Sequence, residues 1–306
     1  MARVFVTRRL PGGALERLGG EHEVEVWPER LPPPPDALRT HAADKEGLLT
    51  MLSDRIDAPL MDACPHLRVI ANYAVGSDNI DLDAAAQRGI VAGVTAGVLT
   101  DATADLAFAC ILAAARRLPE AMAAVRAGEW KTWGPDWLLG HDVHGATLGI
   151  VGYGRIGQAV AKRAAGFAME VVHTGTHGLP VDEVLQRADV VSLHVPLTPA
   201  TRHLIDAAAL RRMKPTAVLV NTARGGVVDQ DALAHALGDG QIAGAALDVT
   251  DPEPLPPDHP LLRIPNLLVL PHIGSATHAT RERMADVAVD NLLAGLAGRP
   301  LPHPAR

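Results

Sequence analysis

The chain has 306 residues and a mass of 32.2 kDa, enough for one large domain or two of ordinary size, each with an apolar core. Its 28 Lys and Arg against 35 Asp and Glu give a net charge of −7, which argues against binding to nucleic acid or an anionic membrane and favours a small-molecule partner. Only Cys64 and Cys110 are present, which argues against a disulfide framework and favours a reducing, cytoplasmic location.

Short apolar or β-branched runs alternate with helical patterns along the chain, and this alternation predicts an α/β fold with parallel sheets. The first five predicted strands are residues 3–7, 22–27, 47–51, 67–72 and 90–92. Residues 100–118 then form a predicted helix, in which Phe108, Ile111 and Ala115 share a face. A long helix at this position is typical of a connection between two domains. Its longest apolar run, 106–115, is half of the roughly 20 residues that a membrane span needs.

A second series of strands follows this helix. The predicted strands are residues 147–152, 169–173, 190–194, 217–221, 243–248 and 267–270. Six strands suit a doubly wound, Rossmann-type nucleotide-binding fold, and the final helix, 275–298, is expected to return to the first domain. We therefore predict a dinucleotide-binding domain over residues 99–275. A smaller flavodoxin-like substrate-binding domain is predicted over 1–98 and 276–306.

A glycine-rich motif follows the first strand of this second series and opens a helix. Its residues, all predicted to bind a cofactor, are Gly152, Tyr153, Gly154, Arg155, Ile156 and Gly157. The first glycine permits a tight turn, the second lets the backbone approach a pyrophosphate, and the third allows close packing of helix on strand. The helix N-terminus then offers unpaired N–H groups to the phosphates. The motif alone is compatible with an empty turn, but its strand–helix context predicts a dinucleotide.

The turn after the next strand reads Thr174-Gly175-Thr176-His177 and lacks the acidic residue that would hold the ribose 2′-hydroxyl of NAD. No carboxylate is present there to repel a 2′-phosphate. Because the turn also lacks Arg, the phosphate would have to be recognised by hydroxyls, backbone N–H groups or His177. We therefore expect a slight preference for NADP(H), with NAD(H) possible.

Three functional side chains follow three successive strands: Arg224, Glu253 and His272. Ligands of open α/β sheets bind beyond the carboxyl ends of the strands, so these groups are expected to converge. The planar cation of Arg suits a substrate carboxylate, and an imidazole beside a carboxylate suits proton transfer. Taken singly, Arg224 could tie a loop, Glu253 could be a solvated turn residue and His272 could be a core histidine.

Other histidines and the remaining cysteine are given structural interpretations. His194 ends a strand before a proline-bearing loop that would border the dinucleotide, and we interpret it as part of the wall of the site. His141 and His144 lack a third ligand at metal-binding spacing, so no metal site is predicted. Cys110 lies on the apolar helix without an adjacent base and is interpreted as a core residue.

Motifs along nearly the whole chain resemble those of the D-isomer-specific 2-hydroxyacid dehydrogenases, with greatest similarity to the glyoxylate/hydroxypyruvate reductase branch. The motifs are NYAVGSDNID at 72–81, TDATA at 100–104, GYGRIGQAVAKRA at 152–164, HVPLTPATRHLI at 194–205, VNTARGGVVDQDAL at 220–233, ALDVTDPEPLP at 246–256 and PHIGSATHATR at 271–281. The glyoxylate reductase branch often prefers NADPH, but the Arg that its members usually carry in the turn after the second strand is Thr176 here.

The resemblance implies roles that spacing alone does not. It implies that Arg224, Glu253 and His272 are catalytic, that backbone near Val75 and Gly76 receives the substrate carboxylate and that Leu52 lines the substrate site. Trp137 would reach into the partner's site of a homodimer. The cofactor contacts expected beyond the glycine motif are Thr174, Gly175, Thr176, Pro196, Thr222, Asp248, Gly274 and Ser275.

The expected reaction is NAD(P)H-dependent reduction of glyoxylate or hydroxypyruvate to the D-2-hydroxy acid, with His272 as proton donor. Reduction of a larger 2-oxo acid such as 2-ketogluconate is an alternative. Formate oxidation is disfavoured because relatives with that activity carry Gln where this chain has Glu253. A nucleotide-sensing, corepressor-like protein without catalytic activity is the alternative from another functional class.

Overall fold

The computed structural model describes residues 1–305, which form two compact units. One unit contains Met1–Leu99 and the segment that begins at Ser275, and the other contains Thr100–Gly274. Each division falls one residue inside the predicted range of 99–275. Among the described residues, no helix is both long and apolar enough to cross a membrane.

The first unit contains the strands β1 (Arg3–Val6), β2 (Glu23–Val26), β3 (Gly47–Thr50), β4 (Val69–Asn72) and β5 (Val91–Gly93). They form a parallel sheet in the order β2-β1-β3-β4-β5. The intervening helices are α1 (Ala14–Glu21), α2 (Pro35–Ala42), α3 (Ala58–Asp62) and α4 (Leu82–Gln87). Strands β3 and β4 are buried along their whole length, which explains why their sequences are almost continuously apolar.

The second unit begins with α5 (Thr100–Ala115) and α6 (Leu118–Arg126). The predicted helix 100–118 is therefore too long, because Arg117 adopts the left-handed conformation (φ 53°) and starts a new helix. The Arg117 guanidinium donates hydrogen bonds of 3.0 and 2.7 Å to the two carboxylate oxygens of Glu120. This ion pair fixes the break between the two helices.

The rest of the second unit is a doubly wound sheet. Its elements are β6 (Thr147–Val151), α7 (Arg155–Ala164), β7 (Glu170–His173), α8 (Val181–Arg187), β8 (Val190–Leu193), α9 (Ala207–Leu210), β9 (Val218–Asn221), α10 (Gln230–Gly238), β10 (Gly244–Leu247) and β11 (Leu267–Val269). The strands are all parallel, in the order β11-β10-β9-β8-β6-β7. The chain reverses its direction of winding between β6 and β8, and a ligand of such a sheet binds at that switch point. The predicted α/β class is confirmed.

Apolar side chains cover both faces of this sheet. Leu148 and Ile150 of β6 belong to the cluster packed under α5 and α7, whereas Val151 belongs to the cluster under α8, α9 and α10. The same alternation occurs in β8, where Val190 and Val191 face opposite clusters. Alternation within buried strands places an apolar layer on each side, and the strand ends are left to carry polar residues.

The last helix, α11 (His278–Leu296), belongs to the first unit, as expected, and packs against β3, β4 and β5. It begins three residues later than predicted, where the Thr277 hydroxyl accepts a hydrogen bond from the Thr280 N–H at 3.2 Å. Asn291 is fully buried on this helix. Its amide donates to the Val94 carbonyl at 3.0 Å and accepts from the His303 N–H at 2.9 Å, so the C-terminal segment is tied to the sheet.

Candidate active site

The glycine turn between β6 and α7 has the geometry that a pyrophosphate requires. Gly152 has φ +98°, and a Cβ atom there would lie 2.6 Å from the carbonyl carbon of His194. A Cβ on Gly157 would lie 2.3 Å from the Gly152 carbonyl oxygen, so α7 packs directly on the turn. By contrast, a Cβ on Gly154 would meet no heavy atom of the described residues within 4 Å.

Gly154 also precedes α7 without any side-chain cap from the described residues. Backbone N–H groups at this helix start are therefore available to an anion, and the side of Gly154 that a Cβ would occupy is open. Arg155 and Ile156, which follow, are the first residues of α7, with Arg155 exposed. These features fit the phosphates of a dinucleotide.

The turn after β7 is tied to the glycine turn. The Gly152 N–H donates a hydrogen bond of 2.9 Å to the Thr174 hydroxyl, and the Tyr153 ring stacks on the His173 ring with centroids 3.7 Å apart. Sequence reasoning did not identify this stack, because the two aromatic residues lie on different elements. Gly175, with φ +115°, and Thr176 follow and are exposed.

His194 borders the same turn from β8. Its backbone N–H donates to the Val151 carbonyl at 2.7 Å, and its ring Nε2 lies 2.8 Å from the Ser192 hydroxyl. Burial lowers the pKa of His194 to about 4, so the ring is neutral at neutral pH. Pro196 follows in an exposed loop, where its carbonyl accepts a 2.6 Å hydrogen bond from the Thr201 hydroxyl.

Thr222 supplies a further feature that fits a bound cofactor. It directly follows β9, is 9% exposed, and its hydroxyl is one of the few buried side-chain atoms of the described residues without a hydrogen-bond partner. A buried hydroxyl without a partner is costly, and a polar ligand group would relieve that cost. The site therefore combines a phosphate-binding turn with an unsatisfied donor at the carboxyl edge of the same sheet.

The loops after β10 and β11 bring Glu253 and His272 together. Glu253 Oε1 lies 2.5 Å from His272 Nδ1, and the two side chains are 32% and 24% exposed. The pairing expected from the strand ends is thus present in the structure. Because Nδ1 faces the carboxylate, Nε2 is the ring nitrogen left for proton transfer to a substrate.

Asp248 shapes the loop that carries His272. Its carboxylate oxygens accept hydrogen bonds from the N–H groups of Ile273 at 2.7 Å and Gly274 at 2.8 Å, and its carbonyl accepts from the His272 N–H at 2.9 Å. His272 itself is left-handed, with φ 53°. Burial raises the pKa of Asp248 above its ordinary value, although the two N–H donors act in the opposite direction. This support for His272 was missed by sequence reasoning, which gave Asp248 only as an expected cofactor contact.

Arg224 lies in the loop after β9, next to the loop that carries Glu253. The Asn221 side chain accepts from the Ala223 N–H at 3.0 Å and donates to the Arg224 carbonyl at 2.8 Å, which shapes the start of this loop. The following Gly225 packs so closely that a Cβ would lie 2.0 Å from the carbonyl carbon of Thr250. The loops bearing the cation and the carboxylate are therefore in direct backbone contact.

The predicted substrate residues of the first unit lie after β3 and β4, which are neighbours in its sheet. Leu52 is 41% and Val75 39% exposed. Asn72 donates to the Gly76 carbonyl at 3.0 Å, while Asn79 donates to the Met51 carbonyl at 3.1 Å. These amides hold the two loops in fixed conformations at one edge of the sheet.

Two further predicted residues lie outside these clusters. Ser275 is the first residue of the first unit's C-terminal segment, next to Gly274 of the second unit. Trp137 is 39% exposed in the second unit, between α6 and β6.

A cavity of about 510 Å³ at the amino ends of β10 and β11 is lined by none of the predicted site residues.

Comparison with known proteins places the chain in a family. Residues 108–274 match the family model described as "D-isomer specific 2-hydroxyacid dehydrogenase, NAD binding domain". The chain belongs to the D-isomer specific 2-hydroxyacid dehydrogenases. Within this dehydrogenase family, it is 48% identical to a glyoxylate reductase of Korarchaeum cryptofilum, over 98% of this chain and 95% of that protein.

Two solved structures extend the similarity to the whole fold. A protein from Thermus thermophilus is 54% identical and superposes with a TM-score of 0.94, covering 99% of this dehydrogenase chain and 100% of the other. An NADPH-dependent glyoxylate/hydroxypyruvate reductase from Sinorhizobium meliloti, solved with NADP and malonate, is 34% identical with a TM-score of 0.86. That alignment covers 99% of this chain and 96% of the other.

Proposed function

We propose that this chain reduces a short 2-oxo acid, glyoxylate or hydroxypyruvate, to the corresponding D-2-hydroxy acid with a nicotinamide dinucleotide as reductant. The observation that carries the proposal is the Glu253–His272 contact of 2.5 Å at the carboxyl edge of a sheet that also presents a dinucleotide turn. Relatives named as glyoxylate reductases, 48% identical over nearly the full chain, support the substrate class.

In this proposal the side chains divide the work of proton transfer and substrate binding. His272 Nε2 gives a proton to the oxygen that develops negative charge, while Glu253 holds Nδ1 and favours the protonated ring. Arg224 binds the substrate carboxylate and polarises the adjacent carbonyl. The bound nicotinamide supplies the hydride.

The other site residues predicted from the sequence are proposed to bind the substrate or the cofactor. The backbone at Val75 and Gly76 would receive the substrate carboxylate, and Leu52 would line the pocket. The glycine turn and the start of α7 would bind the pyrophosphate. The other proposed cofactor contacts are Thr174, Gly175, Thr176, Pro196, Thr222, Asp248, Gly274 and Ser275.

For the cofactor, we propose a slight preference for NADP(H) over NAD(H). The turn after β7 ends in exposed hydroxyl and imidazole groups, Thr176 and His177, and contains no carboxylate that would repel a 2′-phosphate. The related Sinorhizobium meliloti reductase was solved with NADP. Because no Arg lies in the turn, the expected preference is small.

We also propose a homodimer. Leu118, Met122 and Val125 are 47%, 54% and 55% exposed on α6, at a spacing that places them on one face of the helix. Trp130 and Trp133 follow and are 62% and 79% exposed. Several large exposed apolar side chains within one segment are typical of a protein–protein interface, and a second copy of the chain is the proposed occupant.

One experiment with the purified chain tests these proposals together. Oxidation of NADPH and NADH is followed at 340 nm (about the absorbance maximum of the reduced ring) with glyoxylate, hydroxypyruvate, pyruvate and 2-ketogluconate. We expect turnover with the first two and a modestly higher kcat/KM for NADPH. Turnover confined to 2-ketogluconate would replace the substrate class, and no turnover with any 2-oxo acid despite NADPH binding would favour a nucleotide sensor. Light scattering on the same preparation should give the mass of two chains.

A further inference from the structure

The loop that carries Glu253 is bound at its backbone by the amide side chain of Gln230. Gln230 Nε2 donates to the Asp251 carbonyl at 2.5 Å, and the Asp251 N–H donates to Gln230 Oε1 at 3.0 Å. The primary amide therefore binds both polar groups of one backbone residue, two positions before Glu253. The Thr250 hydroxyl adds an internal bond to the Pro252 carbonyl at 2.9 Å.

Gln230 is well placed to act as a fixed support. It is the first residue of α10, and the preceding Asp229 caps that helix by accepting from the Ala232 N–H at 3.0 Å. The loop it binds has little support from burial, since Asp251, Pro252, Glu253 and Pro254 are all exposed. The position of an exposed loop depends on its directed bonds rather than on packing.

From this geometry we infer that Gln230 is a positioning residue, which keeps the Glu253 carboxylate on His272 Nδ1 by clamping the backbone of Asp251. The inference rests on the proposed function, in which His272 must be protonated to reduce a 2-oxo acid. When the clamp is lost, the exposed loop samples other conformations and the carboxylate spends less time at the ring. We expect the effect on reduction to be larger at alkaline than at acidic pH, because a carboxylate at a ring nitrogen favours the charged form of an imidazole.

Gln230→Ala changes no charge near the pair. The buried Asp248 carboxylate lies near this pair: the charge of His272 lowers the pKa of Asp248, and the charge of Glu253 raises it. On the same loop, the Asp251 carboxylate lies 3.5 Å from the guanidinium of Arg202, with both side chains about half exposed. Arg202 thus holds the same residue by its side chain instead of its backbone, which makes Arg202→Gln a matched control.

The test uses Gln230→Ala and Gln230→Glu in the full chain. Glutamate at the first position of α10 is favourable to the helix dipole and can still accept from the Asp251 N–H, but it cannot donate to the Asp251 carbonyl, so it removes one of the two bonds of the clamp without destabilising the helix. We expect kcat/KM for reduction to fall about three- to tenfold at pH 8, and less than about twofold at pH 6, in both variants. The alkaline limb of the pH profile should move to lower pH, and thermal unfolding of Gln230→Glu and the profile of Arg202→Gln should stay unchanged.

A second readout needs no cofactor. The ring signal of His272, assigned among the 14 histidines with His272→Gln, is titrated by NMR in the cofactor-free protein, and its midpoint should move to lower pH in both Gln230 variants. Glu253→Gln should produce the larger shift, and adding Gln230→Ala to it should have no further effect. If Glu253→Gln shifts the midpoint and the Gln230 variants do not, the positioning role is overturned while the proposed function stands. If Glu253→Gln itself shifts nothing, the proposed acid–base pair fails, and the inference fails with it.

Discussion

The loops after β10 and β11 and the turn after β7 lie at the same edge of one parallel sheet, yet they are held in different ways. Asp248 binds two N–H groups of the His272 loop, and Gln230 binds both backbone groups of Asp251. The turn after β7 ends in Thr176 and His177, both exposed. A group that transfers a proton must be held within a fraction of an ångström, whereas a surface phosphate contact tolerates several side chains. The loops of the proposed proton-transfer pair are therefore held by more directed hydrogen bonds than the end of the turn proposed to distinguish NADPH from NADH.

The largest effect is expected at His272, in the proposed proton-transfer pair. His272→Gln keeps a polar side chain but removes the group proposed to donate the proton. We expect kcat for reduction to fall about 10²- to 10⁴-fold, while the Kd of NADPH changes less than about twofold. Stopped-flow or steady-state kinetics and fluorescence titration of NADPH give the two quantities separately.

A control histidine guards against a general effect of the substitution. His144 is exposed just before β6, at the opposite edge of the sheet, and His144→Gln should leave both quantities unchanged. If His272→Gln retained most of its kcat, the proton would have to come from another group. The hydrogen bonds that hold the loops after β10 and β11 would then have no explanation in proton transfer.

The fold could be predicted largely because most of its strands are buried. In the part of the chain that the structure describes, each of the eleven strands has ends within two residues of a predicted strand, although β2 alternates Glu and Val and is not buried. The helix from Thr100 was predicted too long, because composition does not reveal that Arg117 adopts a left-handed conformation stabilised by Glu120. Pro119, in the first turn of α6, is the flanking residue that signals a new helix start, but it does not reveal the left-handed conformation of Arg117.

The candidate site was only partly accessible to sequence reasoning. Glu253 and His272 could be paired because the ends of neighbouring parallel strands meet at one edge. The Gln230 clamp could not, since it joins a helix start to a backbone 21 residues away and leaves no pattern in the sequence. The stack of Tyr153 on His173 is hidden for the same reason, because each residue alone reads as an ordinary loop or strand residue.

A smaller effect is expected in the turn after β7. Thr176→Arg places a permanent cation in the exposed turn after β7, where a 2′-phosphate is proposed to bind. We expect the ratio of kcat/KM for NADPH over NADH to rise about tenfold, equivalent to about 1.4 kcal/mol, with little change in kcat. Steady-state kinetics with both cofactors measure the ratio.

Thr176→Asp is the matched opposite. Its carboxylate should repel the 2′-phosphate and lower the same ratio, with NADH turnover retained. Should both variants leave the ratio unchanged, the 2′-phosphate would not lie near residue 176. The preference between NADPH and NADH would then be set by residues of the glycine turn and not by residues of the turn after β7.

The smallest effect is expected away from both regions and on stability alone. Asp206 caps α9 by accepting from the Ala209 N–H at 2.8 Å, and this backbone hydrogen bond lowers the pKa of Asp206. Because the folded pKa is below the unfolded one, the stabilisation is present above the unfolded value of about 3.9 and is lost as the pH falls through the folded value. Asp206→Ala should therefore reduce the free energy of unfolding by about 1 kcal/mol at pH 7 and by less at pH 3, as measured by urea titration. Asp206→Asn, which still caps, should lose little at either pH, and neither variant should change kcat. A change in kcat would mean that the catalytic loops respond to general loosening of the unit, so that rigidity at the carboxyl edge would not be a local property of Asp248 and Gln230.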